Sequence, residues 1–229
     1  MLNHPDKTNI TRMKKDCQNL DNRGFGRYLN LESNDKSRAQ LTEEYLRAHT
    51  VGEMKALESP IQVVAHDPEW LRNFERISKG INSALGDRAL RLEHVGSTSV
   101  PDLPAKPIID VLLVVADSAD ESEYIPILEG CGYLLHIREP LWYEHRMLRD
   151  LVNSVNVHVF SKGCEEIDRM ICFRDWLRLH APDRELYART KHALAQREWK
   201  YIQNYADAKT EVIEEILARI AKRGNRCSR

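Results

Sequence analysis

The chain has 229 residues and a mass of 26.6 kDa, the size of one generous domain or one domain with extensions at about 100–200 residues per domain. Lys plus Arg is 34, Asp plus Glu is 35, and the formal net charge is −1, which speaks against a chain built to coat nucleic acid, because such domains carry a large basic excess. The longest uninterrupted apolar run, Val111 to Ala116, is six residues against the ~18 of a membrane helix, so no transmembrane span is expected.

The amino-terminal residues lack the apolar core of a signal peptide, and their acidic side chains are out of place in a transit peptide. Residues 1–40 hold neither a helical nor a strand period and read as a disordered extension. Residues 41–57 read as a short helix and linker, with Thr42 as the cap candidate.

The main domain is expected over 58–222, with a basic tail at 223–229. Ile61–Val64 is a short β-like run, and Asp67-Pro68 has the form of a helix start. Trp70, Leu71, Phe74, Ile77, Ile81 and Leu85 then recur at helical spacing, and Gly86 ends the stripe. Ala89–Val95 alternates as a strand, and a loop, Gly96–Lys106, leads into Pro107–Val115, whose apolar, β-branched run belongs inside a covered sheet.

A helix over about 120–131, a strand over 133–137 and a hairpin of 144–149 with 155–160 follow. The rest is helical: 165–179, a break at Ala181-Pro182-Asp183, and a stretch from Arg184 to Lys222 expected to bend near Asn204–Asp207. The order predicts an α/β (α+β) fold, a mixed sheet flanked by helices with a helical C-terminal part. Five cysteines, Cys17, Cys131, Cys164, Cys172 and Cys227, form no CxxC pair and read as reduced thiols of a cytoplasmic protein.

Asp110 carries the most chemical information. It interrupts an otherwise apolar strand, where an ionised carboxylate is costly unless a cation, a metal or hydrogen-bond donors meet it. Gly96-Ser97-Thr98 before it offers backbone N–H groups and hydroxyls to an anion, and Lys106 closes the same loop with a cation. Neither GxxxxGK[ST] nor GxGxxG is present.

Arg174 falls on the apolar stripe of its helix, and Lys209 shares a stripe with Tyr205, Val212, Ile213 and Ile216; charges so placed are either functional or snorkelling. On the strand Glu144-His145-Arg146, residues 144 and 146 face one side and 145 the other; either side can face the site, and Arg146 is favoured as an anion fork. His94 and His158 are strand histidines open to a ligand or base role. Trp142, in a loop, is the tryptophan placed to stack on a flat ligand.

The stretch HVGSTSVPDLPAKPIIDVLLVV (94–115) resembles the signature of the GrpB family, which is placed in the polymerase-β-like nucleotidyltransferase superfamily and is related to a domain appended to some dephospho-coenzyme A kinases. YEHRM (143–147), NVHVF (156–160), FRDWLRLH (173–180) and YADAKTEVIEEIL (205–217) agree in order.

The resemblance implies a nucleotidyltransferase-like fold and a site in which Gly96, Ser97 and Thr98 hold phosphate and Lys106, Arg146, Arg174, Tyr205 and Lys209 complete the binding set. Asp110 and His158 are the catalytic candidates, and Mg²⁺ or Mn²⁺ would sit on Asp110 with His158, or with His94. The superfamily pairs two carboxylates on this strand around two ions, but the second position here is Leu112.

Two functional expectations follow, with a third behind them. One is transfer of a nucleotidyl or related group from a nucleoside triphosphate to a small acceptor. Another is a catalytically diverged anion- or nucleotide-binding or folding-assistance module. The third is a mononuclear metal site built from Asp110 and histidines. The expected partner is a small phosphorylated or otherwise anionic molecule, without membrane or nucleic acid.

Overall fold

The computed structural model describes residues 42–152 and 154–224. The expected extension at 1–40 and the end of the basic tail lie outside the described residues.

Helix α1 (Glu43–His49) starts at Thr42, whose hydroxyl accepts the Tyr45 N–H at 3.1 Å. Asp67 begins α2 (Glu69–Leu85): its carboxylate accepts the Glu69 N–H at 2.9 Å, its carbonyl accepts the Trp70 N–H at 3.0 Å, and Gly86 closes the helix at φ +56°. Trp70, Ile81 and Leu85 are buried along this helix, whereas Leu71 of the expected stripe turns outward at 54% exposure. The run Ile61–Val64 forms no strand; Val64 makes a single bridge to Ala105.

Strands β1 (Arg91–Val95), β2 (Ile109–Val115), β3 (Tyr133–Glu139), β4 (His145–Asp150) and β5 (Val155–Ser161) form one sheet in the order β1-β2-β5-β4-β3. Only β2 and β5 pair in parallel. The chain reaches β5 from β2 through helix α3 (Ile125–Gly130) and the β3–β4 hairpin. Glu144, read from sequence as the first residue of the hairpin strand 144–149, sits instead with Tyr143 in the turn between β3 and β4, at left-handed φ of 52° and 55°.

Both faces of β2 are covered, which is why it reads as a continuous apolar run. On one face Val111, Leu113 and Val115 pack with Val155, Val157, Val159 and Leu148 beneath α2 and α3. On the other, Val95, Leu112, Val114 and Phe160 lie under Ile167 and Ile171 of α4 (Glu165–Leu179). A third cluster, Val100, Leu103, Leu177, Tyr187, Val212 and Ile216, binds the β1–β2 loop to α4, α5 (Ala181–Ala195) and α7 (Thr210–Gly224).

The expected bend in the last helical stretch is two breaks, one on each side of α6 (Ile202–Asp207). Capping side chains make the first. The Trp199 indole N–H donates to the Leu194 carbonyl at 2.7 Å, and the Asn204 carboxamide accepts the Tyr201 N–H at 3.2 Å. The mixed sheet, flanking helices and helical C-terminal part are those the sequence predicts.

Candidate functional site

The site grows from the end of β1. Gly96 turns the chain at φ +68°, and a Cβ built there would lie 2.2 Å from Asp110 Oδ2, so only glycine lets the turn and the carboxylate share this space. Ser97–Ser99 form one turn of 3₁₀ helix. The Ser99 hydroxyl donates to the Gly96 carbonyl at 2.6 Å, and the Thr98 hydroxyl donates to the Ile108 carbonyl at 3.0 Å and meets His94 Nε2 at 3.1 Å. Thr98 and Ser99 therefore brace the loop from inside. Ser97 is half-buried and shares a hydrogen bond with Tyr187, whose burial pushes its hydroxyl up to about 12.

Asp110 leads the second sheet face. In register with it stands Asn156 on β5, opposite Arg149 on β4. The Asn156 Nδ2 donates to Asp110 Oδ1 at 2.9 Å, Arg149 Nε donates to Asn156 Oδ1 at 3.2 Å, and His158 Nε2 stands 3.6 Å from Asp110 Oδ1. Burial alone would raise the Asp110 pKa, but His158, Asn156 and Lys106 together hold it below the usual carboxylate range. It is a carboxylate at neutral pH.

Cations crowd the same space. Burial, with Lys209 and Arg149 nearby, brings Lys106 down to about 8; burial and Lys209 bring Lys191 down to about 7; Lys209 itself is lowered by burial. The Tyr205 ring carries Lys106 Nζ at 5.6 Å and Lys209 Nζ at 5.0 Å from its centroid. Lys191 lies 4.9 Å over the Tyr187 ring and donates to the Pro104 carbonyl. The depressed lysines share one cause. Positive groups taken out of water beside one another are relieved only in part by a single carboxylate.

The structure thus brings together Gly96, Ser97, Lys106, Asp110, His158, Tyr205 and Lys209, and adds Lys191 and Arg149, which sequence reading did not single out. Five candidates are engaged elsewhere: Thr98, turned inward to the Ile108 carbonyl and His94, and Arg146, His94, Arg174 and Trp142. Arg146 is corrected out of the set: the strand period puts it on the opposite sheet face, where its Nε donates to Glu121 at 2.5 Å and its Nη1 to the Glu144 carbonyl at 2.9 Å.

His94 also faces away. It stacks on Phe74 of α2 at 4.7 Å, with its pKa lowered by burial to about 4. Arg174 is a brace between α4 and β1, donating to Glu93 at 2.8 Å, to Asp175 at 2.7 Å and to the His94 carbonyl at 2.9 Å. Trp142 packs edge-on against His145 and Phe160.

The residues present do not fit the two-ion centre that the resemblance implies. At the second carboxylate position Leu112 is fully buried in an apolar cluster. Asp110 is flanked by lysines and accepts from Asn156 through the oxygen nearest His158. Among the described residues no group of three or more His, Cys, Asp or Glu can hold a metal ion.

The fold and site define an α+β domain whose mixed sheet gathers a cluster of lysines around one carboxylate. Residues 60–219 match the family model described as GrpB protein, and the chain belongs to the GrpB family. It is 56% identical over 178 residues to UPF0157 protein BH1888 of Halalkalibacterium halodurans, covering 78% of this chain and 91% of that one.

The crystal structure of conserved protein GrpB from Enterococcus faecalis matches with 31% identity and a TM-score of 0.64, over 71% of this chain and 98% of that one. A dephospho-CoA kinase of Mycolicibacterium paratuberculosis is 30% identical over 176 residues, 66% of this chain but 43% of the kinase. No helix among the described residues is long and apolar enough to cross a membrane.

Proposed function

We propose that the chain binds a nucleotide or another phosphorylated small molecule in the pocket of Lys106, Lys191, Lys209 and Arg149, without a divalent metal. The carrying observation is the gathering of cations about one carboxylate: Lys106 and Lys209 lie over the Tyr205 ring, Lys191 over the Tyr187 ring, and Arg149 reaches Asp110 through Asn156; burial lowers Lys106 to about 8 and Lys191 to about 7 while Asp110 stays ionised. A phosphate among these ammonium groups strengthens every charge interaction in the low-dielectric pocket, and Ser97 and the Gly96 turn add donors. The aromatic faces of Tyr205 and Tyr187 order the lysines before the ligand arrives, which lowers the entropy lost on binding.

A second reading, transfer of a nucleotidyl or related group to a small acceptor, is favoured by His158 Nε2 lying beside Asp110 in the same pocket. Both readings rest on the phosphate site, and one experiment tests it. Inorganic pyrophosphate, nucleoside triphosphates and coenzyme A precursors are titrated calorimetrically with Mg²⁺ and with a chelator.

Binding is expected to persist in chelator and to weaken at least about tenfold in Lys209→Ala, the loss of about one charge-assisted contact. Asp110→Asn is expected to tighten it by removing the opposing negative charge. Binding that requires Mg²⁺ and vanishes in Asp110→Asn would overturn the reading and restore a metal clamp.

A further inference from the structure

Behind His158 lies a line of polar groups that the phosphate site does not use. Glu139, at the end of β3, is 2% exposed, and His145, at the start of β4, is also 2% exposed. A buried carboxylate must be met by donors. Here the Tyr45 hydroxyl of α1 donates to Glu139 Oε1 at 2.9 Å, and His145 Nδ1 lies 2.7 Å from Oε2. His145 Nε2 then lies 3.1 Å from His158 Nδ1, with the two rings nearly parallel at 14°. The rings of Phe160 and Trp142 flank His145 at 4.8 and 5.2 Å and shield this bridge.

We propose that Glu139 and His145 are positioning residues that hold His158 as its Nδ1–H tautomer, leaving Nε2 as the proton acceptor of the pocket. Each hydrogen bond in the line needs one proton. The Glu139 carboxylate requires the proton of its bond to sit on His145 Nδ1, so a neutral His145 presents a lone pair at Nε2. His158 must donate into that lone pair from Nδ1, and its own Nε2 is unprotonated. The other face of the ring is left to the site: Nε2 stands 3.6 Å from Asp110 Oδ1, beyond hydrogen-bond distance.

The inference rests on the phosphate-site reading for what lies beside His158 and specifies what the site does there. When a hydroxyl group of an acceptor reaches Nε2, its O–H bond breaks and an N–H bond forms on His158. The electron pair stays on the acceptor oxygen, which becomes a nucleophile beside the bound phosphate. The imidazolium so formed has a new N–H facing Asp110, whose carboxylate stabilises it, while the bridge to His145 stays in place. Asp110 is then the partner of the charged base, and a carboxylate-held imidazole performs the proton transfer without a metal.

Histidine side-chain ¹⁵N–¹H correlation spectra of the full chain test this, with the His158 signals assigned by their loss in His158→Asn. The expected result is an Nε2 resonance of His158 in the unprotonated range at neutral pH, moving to the protonated range in His145→Phe. A protonated Nε2 in the unsubstituted protein overturns the proposal. So does a folded His145→Phe with an unchanged His158 tautomer; if that variant does not fold, the unsubstituted protein decides alone. Pyrophosphate added to the same samples reads the lysine pocket separately. The expected tautomer without any pyrophosphate response sinks the phosphate reading and leaves the histidine assignment standing, and the reverse result sinks only this one.

Discussion

Two oxygens of one side chain, Asp110, divide the site: Oδ2 lies against the Gly96 turn, and Oδ1 faces Asn156 and His158. Gly96→Ala therefore combines a left-handed strain of about 1–3 kcal/mol with a collision against the carboxylate. We expect a stability loss of at least that size in urea denaturation, together with loss of pyrophosphate binding.

The lysines set an opposite pair of pH slopes. Lys106 and Lys191 fall to about 8 and about 7 from an ordinary value of 10.5. Between those values and the ordinary one the unfolded chain binds more protons than the native one, so the stability of the ligand-free protein should rise with pH across that window. Anion affinity should fall over the same rise, since the ammonium form is what binds. Denaturation and pyrophosphate calorimetry at pH 6.5 and 9 check both signs, and affinity that is flat across this range would refute the assignment of these lysines.

Asp110 and Lys209 were legible in the sequence because each is a charge set in an apolar pattern. Lys191 was not. It lies in a helix whose charges alternate with apolar residues throughout, and only the fold of the β1–β2 loop onto α5 takes it out of water.

At the scale of the element, β4 shows where a correct periodicity stops short. The two-residue alternation puts His145 and Arg146 on opposite faces, but nothing local says which face carries the site; that is decided by the pairing of Arg149 with Asn156 and of Asn156 with Asp110. Glu139 was invisible for the same reason, since its burial comes from α1 and the β3–β4 turn rather than from its neighbours in the chain.

Arg174 is the opposite lesson, a charge on an apolar stripe whose partners, Glu93 and Asp175, are structural. Arg174→Ala should cost about 3 kcal/mol by leaving partly buried carboxylates unmatched, read as a fall in denaturation midpoint, while pyrophosphate affinity measured on the folded fraction stays within about twofold. The break before α6 was placed only roughly from sequence because it comes from the side chains of Trp199 and Asn204, not from proline or glycine.

Across the whole molecule, α1 and the residues after it tie the edge of the sheet to the helical part. Thr50 bridges Ile137, the Val51 N–H donates to the His136 carbonyl at 2.9 Å, and Glu43 accepts from both Lys200 and Tyr201. Tyr45→Phe removes one donor from the buried Glu139 and should lower stability by about 1–3 kcal/mol, measurable by equilibrium denaturation, with no change in the far-ultraviolet spectrum.

The parallel pairing of β2 with β5 has a kinetic consequence. Asp110 and Asn156 are 46 residues apart in sequence, and a parallel ladder closes only after the chain between its strands has been gathered in, a slow step because loop entropy is lost before contacts repay it. The β3–β4–β5 meander is local and can form early. The pocket therefore does not exist in any partly folded chain that lacks the central ladder, and binding at Asp110 reports completed assembly rather than collapse.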